Sequence, residues 1–270
     1  MAIKAIFVGI NKHLDTSIPE LGGARRDATA LWALFTDTIE GLSGRLLVDE
    51  AATHAEASGA MLGTLAAASA DDVVVIAFAG HGSPDGNLVL FDTNAGDLAG
   101  TALSMAGLAD AFKATKARAV LCILDCCFSG QAPARVLETV ARPRNSFALT
   151  GIYGEGRILL AACAINESAW EQPGTGHGLL THAVIEALTG TVGDSVSFPE
   201  IAGEIIRLAR VEAERISVTQ TSVFLGSVQV LPARVLRVPS PRSCPVQHCL
   251  EYGQVGRKMC DRWTESRKLG

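Results

Sequence analysis

Two short apolar runs constrain this chain more than any other feature. Val73-Val-Val-Ile-Ala-Phe-Ala79 and Val120-Leu-Cys-Ile-Leu124 hold no strongly polar residue for a solvated face, are rich in branched side chains, and are too short to cross a bilayer. They read as parallel strands covered on both faces. Each stops abruptly, the first at Gly80-His81-Gly82-Ser83 and the second at Asp125-Cys126-Cys127-Phe128-Ser129-Gly130. Open α/β sheets collect their chemistry beyond the carboxyl ends of parallel strands. Two neighbouring strands ending in this way bring an imidazole beside a thiol, the pairing that activates a sulfur nucleophile.

The rest of the chain alternates strands with helical segments. Ile3 to Ile10 is a first strand, followed by a loop punctuated by Asn11, Pro19 and Gly22-Gly23. Arg25 to Phe35 places Ala28, Leu31, Trp32, Leu34 and Phe35 near helical spacing. Arg45 to Val48 is a second strand, and Asp49 to Ala70 is an Ala-rich helical segment with Thr53 as cap and Glu56 three residues on. After His81 comes a loop rich in glycine and acid, with a hairpin over Asn87 to Phe91 and a helix from Ser104 to Thr115. The segment 130–156 carries Pro133, Pro143, Arg135, Arg142 and Arg144 with little periodic hydrophobicity, and reads as a long exposed loop. Arg157 to Cys163 resumes the sheet, His177 to Leu188 and Phe198 to Arg215 are helices, and Ser222 to Leu225 is a last strand. Such alternation argues for an α/β fold with a mostly parallel sheet flanked by helices. One domain is expected over 1–230. From residue 231 the composition shifts to Pro, Arg and Cys, so 231–270 is a C-terminal tail or the start of a truncated further module.

Charge and cysteine content narrow the function. A net charge of −5 supplies no basic field for nucleic acid. No apolar run reaches the roughly 18 to 20 residues of a bilayer span, and the N-terminus lacks the pattern of a secretory signal, so no membrane partner and a cytoplasmic location are expected. Seven cysteines are an odd number, and Cys122, Cys126 and Cys127 crowd one strand, which points to reduced thiols with one of them reactive. Cys244, Cys249, Cys260 and His248 fit no paired-ligand zinc spacing, and no metal is assigned. Asp85, Asp92 and Asp97 match no calcium-loop pattern, leaving calcium as the one alternative to a protein without cofactor.

Cysteine attack on a carbonyl needs a base to form the thiolate and amide donors for the oxyanion. His81 is the candidate base, Cys126 or Cys127 the nucleophile, and Gly82, with no side chain to obstruct approach, a donor of backbone N–H. Strand alternation puts Cys122, Leu124 and Cys126 on one face and Ile123, Asp125 and Cys127 on the other, so Cys127 faces the crevice if Asp125 does. Cys126 then reads as a small buried hydrophobe, as do Cys122 and Cys163. His13, His54 and His182 belong to no motif and are expected to be surface or helix-packing residues.

Together, Ala79-Gly-His-Gly-Ser83 and Asp125-Cys-Cys-Phe-Ser-Gly130 resemble the caspase-like cysteine peptidases, specifically their metacaspase and bacterial orthocaspase branch. Ala5-Ile-Phe-Val-Gly-Ile-Asn11, Leu21-Gly-Gly-Ala-Arg-Arg-Asp-Ala28 and His177-Gly-Leu-Leu-Thr181 extend the likeness over roughly residues 1 to 230. The resemblance implies a caspase-like α/β/α sandwich with a six-stranded sheet. It implies His81 as base, Cys127 as nucleophile, and the N–H groups of Gly82 and Cys127 as oxyanion hole. Phe128 stands where many metacaspases carry histidine. The family's acidic pocket corresponds to Asp27 and Asp125 and implies cleavage of protein or peptide substrates after Arg or Lys; Asp27 is equally readable as a charge at the start of its own helix. Relatives carry their maturation cut between the nucleophile strand and the next, which makes Arg135 and Arg144 candidates for self-cleavage. Pro143 protects the bond after Arg142. A regulated defence or cell-death effector, gated by a sensor or activator, is the family-level expectation. The alternatives are a catalytically silent scaffold of the same fold and a cysteine hydrolase of small amides.

Overall fold

In the computed structural model the described residues are 1–39, 41–83, 85–126, 156–164, 167–190 and 198–226. Cys127, Phe128, the loop 131–155 with Arg135 and Arg144, and the segment 231–270 lie outside them.

The chain runs β1 (Ile3–Gly9), α1 (Ala24–Thr38), β2 (Leu42–Val48), α2 (His54–Ala66), β3 (Val73–Ala79), β4 (Asn87–Leu88), α3 (Leu98–Thr101), β5 (Leu103–Ser104), α4 (Met105–Ala114), β6 (Ala119–Asp125), β7 (Arg157–Ala161), α5 (Leu179–Gly190), α6 (Phe198–Arg215) and β8 (Val223–Leu225). Six strands form one sheet in the order β2-β1-β3-β6-β7-β8. All neighbours pair parallel except β8, which runs antiparallel to β7. The α/β expectation of a mostly parallel six-stranded sheet between helices is met.

Alternation decides what each face buries. Phe7, Val75, Ala77, Leu121 and Ile123 pack with α1, α5 and α6 on one side. Val8, Ile76, Phe78, Cys122, Leu124 and Cys126 pack with α2 and α4 on the other. Phe7 and Phe35 meet edge to face at 5.7 Å and join α1 to the sheet. Gly9 permits a closer approach still: a Cβ there would stand 2.6 Å from Ala28 Cβ and collide with the Ala24 carbonyl. The start of α1, and Asp27 with it, is thereby held against the end of β1.

The strand order places a topological switch between β1 and β3. From β1 the chain passes outward to β2, then crosses back to β3 on the other flank. Open α/β sheets place their sites beyond the strands' carboxyl ends at such a switch.

Two local expectations change. The helical segment at Asp49 to Ala70 is a 3-10 turn over Asp49–Ala51 followed by α2. Asp49 adopts φ of 45° and turns its carboxylate to Asn11 N and Lys12 N, tying down the loop after β1 instead of opening the helix. Thr53 caps α2 as expected, accepting from Glu56 N. The proposed hairpin over 87–91 shrinks to β4, which pairs antiparallel with β5. Leu90 N donates to Thr93 Oγ1, which ends strand pairing there.

Candidate active site

His81 follows β3 directly and is fully buried. Its Nε2 lies 2.8 Å from the Pro19 carbonyl oxygen. A carbonyl can only accept, so Nε2 carries a proton, and in the neutral ring the lone pair that a base needs is then on Nδ1. Gly82 pairs with Leu88 across an isolated antiparallel bridge. The bonds of that bridge are made by its flanks, Val89 N to His81 O and Ser83 N to Asn87 O, which turns the Gly82 N–H away from the bridge. Gly80 N donates to Asp125 O at 3.3 Å, tying the end of β3 to the end of β6.

The loop after β1 is clamped onto this strand end. Leu14 N donates to Phe91 O, and Leu21 N to Asn11 O. Asp15 accepts from Ser17 N and Ala95 N. Asn11 Oδ1 accepts from Arg25 N in the first turn of α1, and the Arg25 guanidinium pairs with Asp49 at 3.3 Å. The clamp delivers Pro19 to His81, and it delivers His13 as well. The two imidazoles lie 5.5 Å apart, tilted by 42°. His13, expected as a surface or helix-packing residue, is half-buried and packs its ring beside that of His81. Both its ring nitrogens are buried and bond to no described residue.

Burial, and then the nearby His81, pull His13 from its ordinary 6.5 to about 4, against the opposing pull of Asp49 and Asp15. The sign of the resulting pH dependence follows. As pH falls through 6.5 the unfolded chain binds a proton that folded His13 refuses until about 4, so stability is lost across that window. His182, lowered mainly by burial, adds to the loss. Asp72 acts lower, since hydrogen bonds from Ser69, Lys4 and Ala2 hold its carboxyl below the usual range. We expect the melting temperature to fall between pH 7 and pH 4.5 and His13→Phe to make that fall shallower. An identical slope in the variant would show that His13 titrates like a solvated histidine.

Asp27 and Asp125, named from the sequence as pocket residues, are both buried and both reach the start of α5. Asp27 Oδ1 accepts from His177 Nδ1 at 2.8 Å, and both its oxygens take the Gly178 N–H at 3.1 Å. Asp125 Oδ2 accepts from Thr181 N at 3.1 Å and Thr181 Oγ1 at 2.7 Å. Gly178 and Thr181 carry N–H groups that the first turn of a helix leaves without internal acceptors, and the dipole there favours negative charge. Gly178 stands between the two acids, because a Cβ on it would collide with the Asp125 carboxylate. From the first turn of its own helix, Asp27 thus gives its carboxylate to the start of α5. Glu171 accepts from Gly23 N, just before that first turn, at 2.8 Å.

The thiols among the described residues behave as core. Cys122, Cys126 and Cys163 are buried and form no disulfide. Burial pushes the Cys122 thiol far up, and Cys163 Sγ donates to Glu167 O at 3.2 Å. Cys126 lies in the cluster facing α2 and α4, whereas Asp125 turns to the opposite side. Of the acids weighed for calcium, Asp92 accepts from His54 N and Asp97 caps α3. Pro19, His13, His177 and Thr181 escaped sequence reasoning as site residues.

A family model described as Caspase domain matches residues 2–214. No curated protein matches by sequence. Among solved structures, a protein from Geobacter sulfurreducens is 18% identical, covering 88% of this chain and 98% of its own, with a TM-score of 0.60. Caspase-1 from Spodoptera frugiperda is 14% identical, covering 84% of this chain and 87% of its own, with a TM-score of 0.59. At these identities the structural likeness speaks for the fold alone.

Proposed function

Given that the chain belongs to the caspase-domain family of cysteine peptidases, we propose that it is an endopeptidase working through a His81–Cys127 dyad and cutting after Arg or Lys. The observation that carries the dyad is the strand register. Ala79 of β3 pairs with Asp125 of β6, so His81 and Cys127 each come two residues after the same rung. The Pro19 carbonyl leaves His81 Nδ1 unprotonated, ready to take the Cys127 thiol proton. The thiolate adds to the scissile carbonyl carbon, and the oxyanion is met by the N–H groups of Gly82 and Cys127. The imidazolium then returns its proton to the departing amine as the C–N bond breaks. Water, deprotonated by the same nitrogen, hydrolyses the thioester.

Asp27 and Asp125 support the preference for a cationic residue. They are two buried carboxylates on either side of Gly178, one strand end from the base. Buried carboxylates favour a cation strongly, and an arginine fork matches their geometry. The same acids also hold α5, so specificity and the stability of that helix share residues. The effector role and a gating sensor or activator partner rest on the resemblance alone.

Peptides with a fluorogenic leaving group after Arg, Lys or Asp test the reading. Turnover is expected after Arg and Lys, absent after Asp, and lost from Cys127→Ala. Preferential cleavage after Asp would remove the acidic pocket from the account. Turnover confined to small amides would favour the hydrolase alternative.

A further inference from the structure

Just before α5 stands a buried histidine with one ring nitrogen engaged and the other not. His177 and Asp27 are both fully buried, and His177 Nδ1 lies 2.8 Å from Asp27 Oδ1. His177 Nε2 is buried as well and bonds to no described residue. A ring nitrogen buried without a partner is a cost, and native folds keep few of them. If packing alone set this position, an apolar ring would fill it without that cost. What the imidazole adds is the Nδ1–H, and Asp27 is its acceptor. The backbone around it is fixed to the same end. Gln172 N donates to His177 O at 2.7 Å, His177 N to Thr175 Oγ1 at 3.3 Å, and Arg26 Nη1 to Thr175 O at 3.1 Å. The turn that carries His177 is thereby tied to the first turn of α1, where Asp27 stands.

We propose that His177 is a positioning residue for substrate recognition: its Nδ1–H aims the Asp27 carboxylate and so sets the preference for arginine over an uncharged side chain of the same shape. The proposal rests on the reading of Asp27 and Asp125 as the pocket for the residue before the cut. Both contacts from Thr181 go to Asp125 Oδ2, while His177 Nδ1 and the Gly178 N–H go to Asp27. The stretch 177–181 therefore holds two acids that come from α1 and β6, on either side of Gly178. A carboxylate meets a guanidinium through paired, directional hydrogen bonds, so its orientation counts along with its charge. Without the Nδ1–H, Asp27 keeps the Gly178 N–H but loses the donor that draws Oδ1 toward α5. The charge stays and its direction is lost, which weakens the preference for arginine without removing it.

The test uses the full chain carrying Cys127→Ala, so that peptides are bound and not consumed, and two peptides that differ only in arginine or citrulline before the scissile bond. Isothermal titration gives the ratio of the two Kd values and a stoichiometry for each protein. His177→Phe keeps the flat ring and removes the donor. His177→Asn removes the ring and keeps a nitrogen donor bonded to Cγ, as Nδ1 is. The arginine preference of the parent is expected to fall about tenfold in His177→Phe and to stay within about twofold in His177→Asn. A fold merely loosened by either change lowers the stoichiometry and the melting temperature and leaves the ratio alone. If the phenylalanine variant does not fold, His177→Leu takes its place with the same expectation. An unchanged ratio in the variant lacking the donor overturns the proposal. So does an asparagine variant as unselective as the phenylalanine one, which would assign the effect to the rest of the ring. A parent that binds the two peptides alike overturns it as well, since there is then no preference to set. Turnover of the arginine peptide by the wild-type chain is scored separately: its absence sinks the peptidase reading, and the Kd ratio still decides the role of His177.

Discussion

Cys127→Ala is expected to abolish turnover of an Arg-peptide, with kcat falling by at least about four orders of magnitude, while Cys126→Ala keeps most of the wild-type rate. Removing a nucleophile leaves only binding and the oxyanion donors, and no neighbouring thiol can substitute unless it shares the crevice. Cys126 does not: it is buried among Cys122, Leu124 and Phe78 on the side of the sheet facing α2 and α4. Its replacement removes one buried sulfur and should cost on the order of 1 kcal/mol of stability without touching the chemistry. The two variants therefore separate adjacent residues that composition cannot tell apart. Turnover by Cys127→Ala together with loss in Cys126→Ala would reverse the assignment and with it the argument from strand alternation.

In the sequence, β3 and β6 announce themselves. Their runs are apolar without interruption, they end in glycine or acid, and the period of two assigns each residue a face. The contact clusters reproduce that division, Ile123 on one side and Cys122 with Leu124 on the other. His81 was legible for the same reason, as a polar residue between two glycines just past a buried strand. What the sequence could not show are partners set by crossovers. Asp27 and His177 stand 150 positions apart and meet only because the start of α5 returns to the start of α1; from local sequence Asp27 was equally readable as an acid at the start of its own helix. The Pro19 carbonyl has no side-chain signature at all. His13 sits in a loop of mixed composition, where nothing reveals that the clamp at Asp49 and Asp15 folds it back onto His81. The short hairpin and the split helix after β2 failed differently. In each case a side chain took a backbone bond, Thr93 at Leu90 and Asp49 at Asn11, and polar side chains compete with regular structure in ways periodicity does not register.

The two uses of Asp125 can be pulled apart by a pair of substitutions. In the structure its carboxylate accepts from the Thr181 N–H and hydroxyl and so caps α5; under the proposed function it also meets the cationic side chain before the cut. Asp125→Asn keeps an acceptor for Thr181 but removes the charge. Asp125→Ala removes both. A charge-assisted hydrogen bond is worth about 1.5 to 3 kcal/mol, so each variant should cleave after Arg at least about tenfold less efficiently. Loss of the cap alone costs about 0.5 to 2 kcal/mol. The melting temperature of Asp125→Asn should therefore stay near wild type, whereas that of Asp125→Ala should drop by several degrees. Of the outcomes that kinetics and melting can give for the two variants, only one fits a residue with both roles: both variants weak on Arg peptides, the alanine variant alone destabilised. An asparagine variant that cleaves after Arg as wild type does would confine Asp125 to holding α5. Specificity would then have to come from elsewhere in the crevice, with Asp27, which holds the Gly178 N–H on the opposite side of that glycine, as the next residue to change.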